Sequence, residues 1–126
     1  MKIINNKIAV GLWSEDHEKL AKWYMDVLKL PFKEKSDLPE DSYIAFNFGE
    51  NWFWIGKHDK VSGQNKDPYR IMIEFYVESV SEAFDTLKKH NVEFVAEPFP
   101  DPMGGTGWCM TFKDPEGNIL QMYGEK

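Results

Sequence analysis

The chain has 126 residues, 42% of them hydrophobic and 29% charged, with a formal net charge of −6. That length suits one compact domain with its own core, held without metal or disulfide staples. The acid excess argues against a nucleic-acid partner, which needs a basic face, and no run approaches the roughly 18 apolar residues of a membrane span.

The single cysteine, Cys109, allows no intrachain disulfide. The opening Met-Lys-Ile-Ile-Asn-Asn lacks the pattern of a signal peptide, so the expected location is cytoplasmic. Aromatic residues make up 15% of the chain and include five tryptophans, an unusual load that needs a place in the fold.

In chain order, Ile8 to Trp13 alternates large aliphatic with small or aromatic residues and predicts a strand covered on both faces. Ser14 is placed as an N-cap, with Glu15, Asp16 and Glu18 where a helix dipole favours acids. The helix should run to about Leu28, with Leu20, Ala21, Tyr24, Val27 and Leu28 on its packed side. Pro31 ends it, and the polar stretch Lys33 to Asp41 reads as a loop or weak strand. Tyr43 to Phe48, a turn at Gly49-Glu50 and Trp52 to Lys57 then form a hairpin, followed by a polar linker from His58 to Pro68.

The second half repeats that order. Arg70 to Val77 is a strand, and Ser79-Val80-Ser81-Glu82 has the capping-box pattern at the start of a helix whose apolar stripe is Val80, Ala83, Phe84 and Leu87. Asn91 fits the left-handed position after the helix, Val92 to Val95 is a short strand, and Pro98 to Gly105 is a loop. Gly104, Gly105 and Gly107 lack the lysine and following helix of a phosphate loop and read as a flap. The chain closes on two strands joined by Asp114-Pro115-Glu116-Gly117, residues that a type I turn asks for in that order. Two similar halves imply two βαβββ units, about 1–60 and 68–126, within one domain spanning 1–126.

The Asp114-Pro115-Glu116-Gly117-Asn118 turn and the run Trp23-Tyr24 before Val27-Leu28-Lys29-Leu30-Pro31-Phe32 resemble those of the vicinal-oxygen-chelate superfamily, which includes glyoxalase I, extradiol dioxygenases and bleomycin-resistance proteins. Lys29 stands where that family usually has glycine. The resemblance covers essentially the whole chain and implies an α+β fold, with two curved mixed sheets around a cavity and helices outside. An unrelated α+β domain, such as a ferredoxin-like one, is the alternative.

With that phase, period-2 alternation points Trp13, Asn47, Trp52 and Trp54 inward from the first module, and Met72, Glu74, Tyr76, Cys109, Thr111, Ile119, Gln121 and Tyr123 inward from the second. The family's metal ligands fall by position on Ala9, Trp54 or its neighbour Phe53, Met72 and Gln121. Only Gln121 offers an oxygen, so no metal and no cofactor is expected. His17, His58 and His90 read as solvated surface residues away from the cavity. Cys109 has no basic neighbour in view and reads as an inert thiol, while Glu74 beside Tyr76 is a weak candidate for proton chemistry.

Trp13, Trp52, Trp54, Tyr76 and Tyr123 with Glu74 suit a flat or cationic organic ligand held by stacking and cation–π attraction, unless the large aromatics simply fill the interior. The expected function is therefore a metal-free small-molecule binder resembling the bleomycin-resistance branch, serving drug sequestration. The alternative is a glyoxalase-I-like lyase or dioxygenase-type enzyme with an atypical site, and a ligand-sensing role stays open behind both. The expected partners are a small organic molecule and a second copy in a homodimer.

Overall fold

A computed structural model describes residues 1–126, and the chain divides into two compact units, Met1–Gly63 and Gln64–Lys126. The first contains β1 (Ala9–Ser14), α1 (His17–Asp26), β2 (Phe32–Leu38), β3 (Asp41–Phe48) and β4 (Asn51–Lys57). The second contains a single 3-10 turn at Pro68–Arg70, then β5 (Met72–Ser79), α2 (Val80–Lys88), β6 (Phe94–Pro100), β7 (Trp108–Lys113) and β8 (Ile119–Glu125). Each unit is a βαβββ module with one four-stranded mixed sheet, ordered β1-β4-β3-β2 and β5-β8-β7-β6. Neither helix is long and apolar enough to cross a membrane.

The parallel pairs β1/β4 and β5/β8 fix the phase of both sheets. Gly11 lies opposite Trp54, and Glu74 lies opposite Gln121 at the equivalent place in the second sheet. Successive side chains of a strand leave on opposite faces, so Phe46, Phe48, Phe53 and Ile55 turn toward α1, where Phe53 packs on Tyr24 with ring centres 5.7 Å apart. Tyr24, Phe46, Ile55 and Leu20 are fully buried there. In the second unit Phe112, Leu120, Met110 and Leu87 are equally buried, and Phe84 of α2 meets Phe94 of β6 at 4.8 Å. The tryptophan-bearing face of one sheet and the Glu74-bearing face of the other are the sides away from the helices.

Several boundaries differ from the sequence expectation, each for a local reason. Ser14 does not cap α1; its Oγ accepts from Asp16 N, and Asp16 is the N-cap, accepting from Lys19 N. The helix stops at Asp26 because Lys29 takes a left-handed φ of 58° where Pro31 bars continuation. Polar residues 33–37 form an ordered edge strand, and β6 runs on through Pro98 to Pro100, which an edge strand tolerates because outward amides need no partner. The expected linker is fastened: Gly63 N donates to Glu15 Oε1 in the first unit, and Asn65 N donates to the Glu116 carbonyl in the second.

Candidate ligand-binding faces

On the first sheet the indoles lie against the backbone because glycine leaves room for them. Gly11 sits under the Trp54 ring, and a Cβ on Gly56 would come within 2.8 Å of Trp13 Cζ3. Trp13 and Trp54 meet edge to face at 6.3 Å, and the imidazole of His58 stands edge-on to Trp13 at 5.2 Å. His58 reaches that place because its N–H donates to the Ser14 carbonyl, extending the β1/β4 ladder by one residue. Trp13 remains 45% exposed and Trp52 38%, far more than a ring that fills a core. Lys33 Nζ lies 3.8 Å above the Trp52 ring. Asn47, opposite Trp52, is exposed and accepts from Gly49 N.

The second sheet carries a polar row on its corresponding face. Thr111 Oγ1 donates to Gln121 Oε1 at 3.3 Å, and Gln121 Nε2 donates to Glu74 Oε2 at 2.5 Å. Glu74 makes no other hydrogen bond or ion pair, so its second carboxylate oxygen is free. Next along, Cys109 lies opposite Tyr123, whose hydroxyl donates to Asp101 Oδ2 at 3.3 Å and whose ring meets Tyr76 at 5.9 Å. Burial pushes the Cys109 thiol up, helped by the negative charges of Asp101 and Glu74. Burial also raises the Tyr123 phenol, again with Asp101 behind it.

Tyr76 and Tyr123 with Thr106, Gly107 and Glu125 line an open cleft of about 440 Å³. The glycine loop beside it is closed by hydrogen bonds around Asp101, which receives Met103 N on its carboxylate and Gly104 N on its carbonyl while its own N–H donates to Gly107. Gly107 is buried against the Tyr123 ring.

The residues singled out in the sequence thus fall into two groups: Trp13, Asn47, Trp52 and Trp54 on the first sheet, and Glu74, Tyr76, Cys109, Thr111, Gln121 and Tyr123 on the second. Sequence reasoning missed His58 and Lys33, and it missed Asp101 as the organiser of the glycine loop. It also took His17 for a surface residue. His17 is only 7% exposed, and its Nε2 is a buried nitrogen without a partner.

The family's four ligand positions do not fit a metal. Phe53 turns to the helix, which leaves Ala9, Trp54, Met72 and Gln121, bearing a methyl, an indole, a thioether and an amide. No three His, Cys, Asp or Glu side chains gather anywhere in a way that could hold an ion, and hard divalent ions need several oxygen or imidazole donors.

A model of the Glyoxalase/Bleomycin resistance protein/Dioxygenase superfamily matches residues 7–122. No curated protein matches the chain by sequence. Among solved structures, it is similar to a superfamily member from Sphaerobacter thermophilus at 20% identity, covering 97% of this chain and 98% of that one with a TM-score of 0.76. It is also similar to lactoylglutathione lyase from Agrobacterium tumefaciens at 17% identity, with 98% and 96% covered and a TM-score of 0.71. TioX from Micromonospora sp. ML1 is similar at 13% identity, with 97% and 100% covered and a TM-score of 0.71. At identities this low the likeness is one of fold.

Proposed function

The chain belongs to the Glyoxalase/Bleomycin resistance protein/Dioxygenase superfamily, and from that premise we propose that it is a metal-free small-molecule binding protein that takes a flat organic cation and serves drug sequestration. The observation that carries this reading is the Trp13–Trp54 pair, two indoles held against the sheet by Gly56 and Gly11 with ring surface left open. Such a platform offers stacking of about 0.5–1.5 kcal/mol per ring beyond area burial and a cation–π term of about 0.5–2 kcal/mol. The free oxygen of Glu74 is a second point of attraction for positive charge on the other sheet.

The reading is tested by titrating intrinsic fluorescence with acridinium and phenanthridinium dyes beside neutral isosteres. Saturable quenching at micromolar concentrations is expected. Absence of quenching by every flat cation, with the protein folded, removes the reading. A lyase or dioxygenase of the family's metal-using kind needs oxygen or imidazole donors where Ala9, Trp54 and Met72 have none. Stoichiometric zinc, nickel, manganese or iron in the purified protein would reverse this ranking.

A further inference from the structure

The edge strand β2 brings a carboxylate onto the tryptophan face. Phe32 pairs with Phe46 and Glu34 with Ala45, so two steps on β2 oppose one on β3, and Lys33 is the extra residue of a bulge. A bulge turns consecutive side chains toward one side of the sheet. Lys33 accordingly rests on Trp52, while Glu34 lies in one row with Ala45, Trp54 and Gly11. The next residue, Lys35, leaves on the helix side, where its ammonium lies 3.4 Å from Glu18 of α1. Glu34 is half-buried and has no hydrogen bond or ion pair, not even with Lys33.

We infer that Glu34 is the charge-selecting residue of the first unit's face, receiving the positive group of a planar organic cation whose rings stack on Trp54 and Trp13. This rests on the proposed binding of flat cations and assigns the selectivity to one side chain. A half-buried carboxylate without a protein partner has its charge left unmet by the chain itself, and a cationic ligand would meet it through a charge-assisted contact. Lys33 already supplies a cation to the Trp52 ring, so that indole is the least suited of the three to hold a second one. It works against the ligand's charge, and removing it should favour binding.

The test measures dissociation constants by fluorescence for an acridinium dye and its neutral isostere on wild type, Glu34→Gln, Glu74→Gln and Lys33→Met. Glu34→Gln is expected to weaken the cation about tenfold and the neutral compound less than twofold, with Lys33→Met at wild-type affinity or tighter. If the cation binds wild type but Glu34→Gln leaves its preference over the isostere intact, and Glu74→Gln abolishes it, Glu34 is not the selector although the binding function stands. If flat anions bind better than cations and Lys33→Met weakens the anions, the face selects the opposite charge. Quenching that follows protein concentration instead of dye would mean that a second copy covers the face. Failure of any flat cation to bind wild type removes both the function and this assignment.

Discussion

The indole of Trp54 packs directly against Gly11 of the neighbouring strand, so that a methyl group at Gly11 would overlap Cζ2 and Cε2 of the ring. Gly11→Ala should therefore displace the ring and cost about 1–3 kcal/mol by overpacking, read as a shift in urea midpoint. Trp54→Ala removes the obstacle, so the double variant should cost less than the sum of the two single ones. Strict additivity would mean that the ring and the glycine do not share the space.

Lys29 holds φ 58° just beyond α1, in the left-handed region that strains a side chain by about 1–2 kcal/mol relative to glycine. Lys29→Gly is expected to raise stability by about 1 kcal/mol, after allowance for the freer unfolded chain. Asn91, with φ 55° after α2, should gain less from the same change because asparagine tolerates this region better. A loss of stability in Lys29→Gly would show that the lysine stem contributes more than the strain costs.

The carboxylate of Asp114 is buried and accepts from Glu116 N and Asn118 N through Oδ1 and from Asn118 Nδ2 through Oδ2. Asp114→Ala should cost about 2–3 kcal/mol, since it strands buried donors. Asp114→Asn should recover part of that by keeping one acceptor. Equal losses in chemical denaturation would mean that the turn is held by Pro115 and Gly117 alone.

Stability should fall on the alkaline side. Cys109 and Tyr123 are raised above ordinary values of 9.0 and 10.0, and Lys35 above 10.5 through Asp37 and Glu18. In each case the folded state holds its proton longer than the unfolded one, so the contribution is whole below the ordinary value and is lost as pH rises through the raised one. These groups should make melting temperature decline above about pH 9. Cys109→Ala should delay the start of the decline, and an unchanged profile would show that the thiol plays no part.

Two copies are expected to associate, because each sheet ends in two open edges, β1 and β2 in one and β5 and β6 in the other. Light scattering at micromolar concentration should give the dimer mass, and a monomer mass would overturn this.

Much of the fold was legible because Trp52-Phe53-Trp54-Ile55 alternates cleanly, and one helix contact then sets the phase of a whole sheet. The strand β2 was obscure because Lys33 to Asp37 has no apolar alternation: it is an edge whose two faces are both polar, and its bulge hid the position of Glu34. His58 could not be placed on Trp13 from composition, since that contact depends on the ladder running one residue past β4. His17 misled because an acidic first turn suggests water, whereas this imidazole is buried with an unmet nitrogen.

The prolines of β6 bear on what kind of assembly can grow. Pro98 and Pro100 offer no amide hydrogens, so an added strand would find gaps in the ladder along that side of the second sheet. Strand addition through β5 would therefore leave proline edges on the outside of the product and stop at a closed pair. The second sheet thus carries its own terminator against fibril-like growth along that edge, and Pro98→Thr with Pro100→Thr should open this edge to slow, seeded aggregation.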